Sequence, residues 1–546
     1  MKGRRIFTWA LILGLLLTIT PGPSLTSVRA ARFPRLWARS NGNDTYHALV
    51  IGVPLEDIDT VSNAGAVNVL YGAALGLSTE GNQFWHQDVS GVVGAAEEGD
   101  QFGFALAAGD FNGDGYFDLA VGVPYEDVGD TSNAGLVQVF YATADGLSSA
   151  GNEMWNQGTP GIEGGVEEGD GFGYALAAGD FNGDGYDDLA VGVPFEDKAD
   201  ENDSGAVNVI YGSADGLTAN GNQIWDQDDF FGGAAESGDE FGYSLAAGDF
   251  NGDGYDDLAI GAPSDDWGEI NAAGVVNVLY GSSSGLSATG GQTWSQADTS
   301  IDDSAEESDN FGYSLAAGDF NGDGRDDLAI GVPGEDVDTA SGCGAVNVLY
   351  ALPTGGLSSS SQFWHQDPVY VRDGPEDNDW FGSALAAGDF DGDGYDDLAV
   401  GVPGEDVDTT EGTVSDAGAV NVLYGSSMKL QAEGGQFWHQ DIIGTAEEYD
   451  NFGFSLAAGD FNGDGHDDLA IGVPFDDLLT NENAGVVNVI YGFGGGLGLS
   501  SQLWYQGLGI LDTAEEGDHF GYALVTLPTL KREIYLPLLL REVEGA

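Results

Sequence analysis

One cysteine, Cys343, stands in a chain of 546 residues, so no internal disulfide braces it. Basic residues are nearly as scarce: 14 Lys and Arg against 91 Asp and Glu leave a formal charge of −77. That balance excludes nucleic acid and anionic membrane surfaces as partners, because both repel an acidic chain. The longest apolar run, Ile6 to Ile19, falls short of the roughly 20 residues that a bilayer span needs. It follows Lys2, Arg4 and Arg5 and precedes Val28-Arg29-Ala30, the layout of a secretory signal cut after Ala30. Residues 1–30 are therefore read as a signal peptide and 31–43 as a linker. Cleavage removes four basic residues and no acid, taking the charge to −81. The expectation is a secreted or cell-surface protein that does not span the membrane once processed.

What the chain does have is repetition. The stretch GDFNGDGYFDLAVGVP, Gly109 to Pro124, returns five more times at intervals of about 70 residues. Its Asp110, Asn112, Asp114 and Asp118 fall at positions 1, 3, 5 and 9 of a D-x-N-x-D-G-x-x-D loop, and Tyr116 offers its main-chain carbonyl at position 7. A tightly curled loop turns alternate residues inward, and hard Ca²⁺ takes carboxylate, amide and carbonyl oxygen. The second copy supplies Asp180, Asn182, Asp184, Tyr186 and Asp188; the third Asp249, Asn251, Asp253, Tyr255 and Asp257. The fourth supplies Asp319, Asn321, Asp323, Arg325 and Asp327; the fifth Asp389, Asp391, Asp393, Tyr395 and Asp397; the sixth Asp460, Asn462, Asp464, His466 and Asp468. Six loops predict about six Ca²⁺ ions, which return about twelve positive charges and stand in for the missing disulfides. A plain acidic turn would not hold three carboxylates and a glycine in register six times. EF-hands share the nine positions, but Leu119 to Pro124 is short, β-rich and closed by Gly and Pro, so the loop joins two strands. The acid excess is also consistent with a salty habitat, an alternative that composition leaves open.

Each repeat divides into four strands. In the second full copy they are read as Phe172–Phe181, Asp188–Pro194, Ala206–Tyr211 and Gln223–Gln227, separated by turns such as Ser213-Ala-Asp-Gly216. Four antiparallel strands of this length make a propeller blade; a solenoid is the rival, but it needs capping repeats at its ends. The counts favour the ring. F-G opens a first strand seven times, from Phe102 to Phe520, and a Tyr closes a third strand seven times, from Tyr71 to Tyr491. The loop is complete only six times. Residues Ala48 to Pro54 begin inside a repeat and Phe520 to Leu524 form an orphan first strand, so the two ends are expected to complete a seventh blade. Closure of that kind buries edges that an open array exposes. At that junction the metal positions have decayed to Ser40, Gly42, Asp44 and Ala48.

The succession F-G-x-x-L, G-D-x-N-G-D-G-x-x-D-L, G-x-P and G-x-V-x-V-x-Y resembles the FG-GAP repeats of the integrin α-subunit head. The resemblance covers residues 44–527, leaving 528–546 as a C-terminal tail. It implies an all-β fold, a seven-bladed β-propeller of four-stranded antiparallel blades, with calcium in hairpin loops on one rim. It also implies extracellular adhesion or ligand binding, with a protein or glycan as partner. Six loops match here, whereas integrin α-subunits carry metal in a minority of blades; their leg domains, transmembrane helix and cytoplasmic tail have no counterpart. A soluble relative of the propeller fits better than a receptor.

Enzyme chemistry finds little footing. His86, His365 and His439 share an F-W-H-Q-D context whose equivalents elsewhere are Asn156, Asp226, Ser295 and Tyr505, the variation of a tolerant surface site. Paired carboxylates such as Glu97-Glu98 recur with the repeat, and no phosphate loop, H-E-x-x-H or nucleophile elbow is present. The chain is read as a binding module, with a lectin-like propeller and a hydrolase acting on its face as alternatives. The seven Trp of W-x-Q are read as blade-to-blade packing. The binding face is placed on the rim opposite the calcium loops, where aromatics and an arginine interrupt the acidic template: Phe230, Phe231, Trp267, Tyr370, Arg372 and Trp380.

Overall fold

The computed structural model describes residues 46–528, except 199–200, 231–233, 298–300, 302, 354, 368–370, 372, 411 and 479–480. The expected signal, the linker, the decayed positions 40, 42 and 44, and all of the tail beyond Pro528 lie outside the described residues.

The first complete repeat shows how a blade forms. Ala105–Gly109, Asp118–Val123, Leu136–Thr143 and Gly146–Trp155 pair antiparallel in chain order. Asp118–Val123, rich in Leu, Ala and Val, is buried along its whole length, because neighbouring blades cover both of its faces. Gly146–Trp155 is half-exposed and alternates less cleanly, as suits an outer edge. Five further sheets repeat this order. The seventh runs Gly76–Trp85, Ala66–Ala73, His47–Val53, Ala523–Pro528, with Val50 opposite Val525 and Ile51 opposite Leu524.

The innermost strands touch one another in succession around the whole ring, and Ala523–Pro528 lies between Ser455–Gly459 of the sixth blade and Ala105–Gly109 of the first. The architecture is a seven-bladed β-propeller closed by the pairing of His47–Val53 with Ala523–Pro528, with almost no helix among the described residues: Gln440–Ile443 and the short 3-10 turn Gln227–Asp229. The core is a set of wedges between blades. In one, Trp85 of the seam blade is buried and its ring sits 5.0 Å from Phe140 of the first, the packing expected of W-x-Q.

Strand limits differ from the sequence reading at three places. The innermost strand of the second blade is Leu176–Gly179, not Phe172–Phe181, and the last of the seam blade is Ala523–Pro528, not Phe520–Leu524. The F-G pair is a corner: Gly173 has φ +95°, and Phe172 bridges to Gly135 of the preceding blade. The outer strand also begins earlier, at Thr218. Closeness explains the glycines of F-G and G-x-P together. A Cβ on Gly122 would stand 2.1 Å from the carbonyl oxygen of Gly173 in the next blade, so backbone meets backbone there.

Candidate metal loops and the opposite face

Each loop joins the innermost strand to the second, so all six are carried on one rim. In the second blade Asp180 at position 1 accepts from the backbone N–H of Asp184 and of Gly185, both at 3.0 Å. Asp184 at position 5 accepts from Tyr186 N–H at 3.1 Å. Asp188 at position 9 accepts from Phe181 N–H at 3.0 Å and, across the blade, from Gly212 N–H at 2.9 Å. Asn182 at position 3 reaches Asp188 with its amide at 3.3 and 3.4 Å. The loop backbone thus turns its own side chains toward one centre.

In the fifth loop, whose position 3 is Asp391, oxygens of Asp389, Asp391 and Asp397 lie within 4.8 Å of one another. Burial, with the other acids of the loop adding to it, pushes the position-9 carboxyls up: Asp118, Asp327 and Asp468 to about 8, Asp188, Asp257 and Asp397 to about 9. Charged carboxylates are unstable there unless a cation joins them. The donor set, all hard oxygen, fits Ca²⁺.

Loops are also tied to each other. Asp187 at position 8 of the second blade accepts from Asp110 N–H of the first at 2.8 Å, while its own N–H donates to the Asp110 carbonyl at 3.1 Å. The two-way bracket repeats at Asp256, Asp326, Asp396 and Asp467. At the seam His47 takes the role, its Nδ1 accepting from Asp460 N–H at 3.1 Å. Position 7 adds a cover, as the Tyr186 ring lies over Gly113 of the preceding loop.

The fourth loop departs from the pattern. Arg325 donates to Asp323 at 2.7 Å, placing a guanidinium on the position-5 carboxylate, its own position 7 being Tyr in four other loops. A fixed positive charge beside a Ca²⁺ site weakens it. Arg325→Tyr is expected to tighten this one site several-fold, read by calcium titration of the variant against the parent; an unchanged weakest site would refute the argument.

The opposite rim carries a feature the sequence reading missed. The residue after each F-G, at the mouth of the ring, is aromatic in six of seven blades: Phe104, Tyr174, Tyr243, Tyr313, Phe454 and Tyr522. Neighbours stand 4.9 to 5.3 Å apart between ring centroids from Tyr313 through Tyr243, Tyr174, Phe104 and Tyr522 to Phe454. The hydroxyl of Tyr243 lies near those of Tyr174 and Tyr313. Ser383 leaves the arc open at the fifth blade. Tyr125, Phe195 and Phe475 back it edge-on. The signal was the period of the residue two past each Phe, hidden by attention to F-G itself.

Of the six residues assigned to the binding face, Trp267 and Trp380 are exposed, at 46% and 43%. Phe230 is not: it is 6% exposed, packed 5.9 Å from Phe241, and is a core residue, because the 3-10 turn before it swings the chain inward. Phe231, Tyr370 and Arg372 lie outside the described residues.

The family model described as "FG-GAP repeat" matches residues 102–140, 172–210, 241–279, 311–349, 381–423 and 452–490. Among curated proteins, integrin alpha-PS2 of Drosophila melanogaster is 36% identical over 235 residues, 42% of this chain and 15% of that protein. Phosphatidylinositol-glycan-specific phospholipase D of Mus musculus is 35% identical over 218 residues, 39% of this chain and 24% of that protein. The matched region is thus a quarter or less of either relative. A solved periplasmic gluconolactonase of Pseudomonas aeruginosa aligns over 89% of this chain and 100% of its own, with a TM-score of 0.40 and 12% identity; at that score it adds nothing to the assignment.

Proposed function

We infer, for a chain that is an FG-GAP repeat protein resembling the integrin α-subunit β-propeller, that it works as a secreted calcium-binding module which captures an extracellular ligand. Calcium in the six loops stiffens one rim, and the other rim does the binding. The observation that carries this reading is the aromatic arc at the axial mouth, set in a strongly acidic molecule. Ring faces attract cations, and large aromatics give contact area at low entropy cost, so a protein that offers a basic side chain suits the mouth. Trp267 and Trp380 extend the same face outward.

The test is capture from matrix proteins, glycans and neighbouring surface proteins, using Tyr313→Ala, Trp267→Ala and Trp380→Ala combined. Capture is expected to fall at least tenfold while the calcium-dependent melting curve stays in place. Undiminished capture by the triple variant would overturn the placement, and capture of glycan alone would make the module a lectin. The hydrolase alternative has one feature in its favour, a cleft of about 160 Å³ lined by Asp57, Asp59, His86 and Asp512. A broad hydrolase screen is expected to be negative; turnover abolished by His86→Ala would replace the present reading.

A further inference from the structure

The hairpins that join the third strand of each blade to the outer one lie on the rim of the metal loops. Gly212 N–H in the second blade and Gly492 N–H in the sixth each donate to the position-9 acid of their own loop at 2.9 Å. In the seam blade Ala73 N–H donates to the carbonyl of Phe461, in the sixth loop, at 3.2 Å. The first three blades expose Asp145, Asp215 and Ser284 at these hairpins. The next four, in order round the ring to the seam, expose Leu352, Met428, Phe493 and Leu75. Leu75 is 93% exposed and Phe493 51%. The turn itself does not ask for an apolar tip. Ser284 and Met428 sit in equivalent turns, closed by Gly285 N–H on the Ser282 carbonyl and by Lys429 N–H on the Ser426 carbonyl, both at 2.8 Å. At the seam, Leu77 N–H donates to the Tyr491 hydroxyl at 3.1 Å and the Leu77 carbonyl accepts from the Gln502 amide at 3.2 Å. The hairpin of Leu75 therefore rests on the two sixth-blade strands whose own hairpin carries Phe493. Apolar side chains gathered on one side of an acidic rim mark a contact surface.

The chain leaves the ring on this rim and on this side of it. Pro528, last residue of the last strand, pairs with His47, and His47 N–H donates to the carbonyl of Asp460, at the head of the sixth loop, at 2.9 Å. Residues 529–546 lie outside the described residues and read TLKREIYLPLLLREVEGA. From Ile534 to Leu540 every residue except Pro537 is large and apolar. Lys531, Arg532 and Arg541 flank that run, whereas residues 46–528 hold four basic side chains, Lys198, Arg325, Arg372 and Lys429. Strands about 4.8 Å apart put the seam-blade hairpin roughly 12 Å from the end of the innermost strand. Residues 529–533 span up to about 17 Å, so Ile534 reaches Leu75. Opposite charge draws the basic segment onto the acidic rim, while a second copy would press two such rims together against their repulsion.

We propose that residues 531–541 fold back on the metal-loop rim as an intramolecular strap, laying the run from Ile534 to Leu540 over Leu75 and Phe493. The strap covers the outer side of the junction at which the ring closes.

Trypsin tests this on the whole chain with calcium present, the rate of cleavage after Arg532 and Arg541 being followed by mass spectrometry. Leu75→Asp combined with Phe493→Asp gives these hairpins the residue that the first two blades carry. The pair is expected to speed cleavage about tenfold, because proteolysis follows the population of the open form, and to leave the melting curve in place. Leu75→Asp alone should act in the same direction and serves if the pair disturbs the fold. Asp145→Asn, on the polar side of the rim, should change nothing. Cleavage equally fast or equally slow in the parent and the double variant would overturn the proposal. So would faster cutting after Arg35 and Arg39 alone, which would give the patch to the N-terminal linker, or a dimeric parent made monomeric with tail cleavage unchanged, which would give it to a second copy.

Discussion

Excess chelator at low ionic strength is expected to lower the melting temperature by roughly 3 to 8 °C. The loops lack a bidentate Glu at position 12, so each should bind at the weak extracellular end, about 10⁻⁴ to 10⁻³ M. At millimolar calcium a site of that strength adds about 0.5 to 1.4 kcal/mol by mass action, and six add about 3 to 8 kcal/mol. A ring of this length unfolds with an entropy near 1 kcal/mol per degree, which converts that sum into the stated shift. The sign is fixed because the curled loop exists only in the folded chain. Differential scanning calorimetry with and without chelator checks it, and identical curves would remove calcium from the account of stability.

The second large effect concerns closure. Removing residues 518–546 takes away Ala523–Pro528 and, with it, the buried Phe520 and Leu527. Those two side chains alone represent on the order of 5 kcal/mol of burial, and the loss bares the ladder edge of His47–Val53. Such an edge pairs with other chains, so size-exclusion chromatography should show oligomers or aggregate. Removal of 531–546 leaves that strand in place and should give a monomer. Equal, soluble behaviour of both truncations would contradict the dependence of the ring on its last strand.

Much of this was legible in the sequence because it is written locally. A loop such as Asp180 to Asp188 spells its ligands within nine residues, and the seven F-G pairs against six complete loops announced that Ala48 to Pro54 and Phe520 to Leu524 belong to one blade. What escaped depends on contacts between blades. The residue after F-G reads as one more strand position until a ring brings Phe104 beside Tyr174 and Tyr522. Gln506 and Glu56 are 450 residues apart in the chain, and only closure makes them neighbours. Phe230 was misplaced because nothing in Asp229-Phe230-Phe231 says which aromatic a short turn will carry inward.

The seam has a mechanical side. His47 stands opposite Pro528 in the register, and the two strands run antiparallel, so the chain enters and leaves the ring at the same end of one ladder. Tension applied between those two points would part the ladder one pair at a time, as a zip opens, because the bonds are loaded in sequence instead of together. A pull on one of them, were the ligand proposed for the mouth to resist it, would run through the stacked wedges and leave the zip unloaded. The ladder therefore yields most readily when the ring is stretched between its two ends.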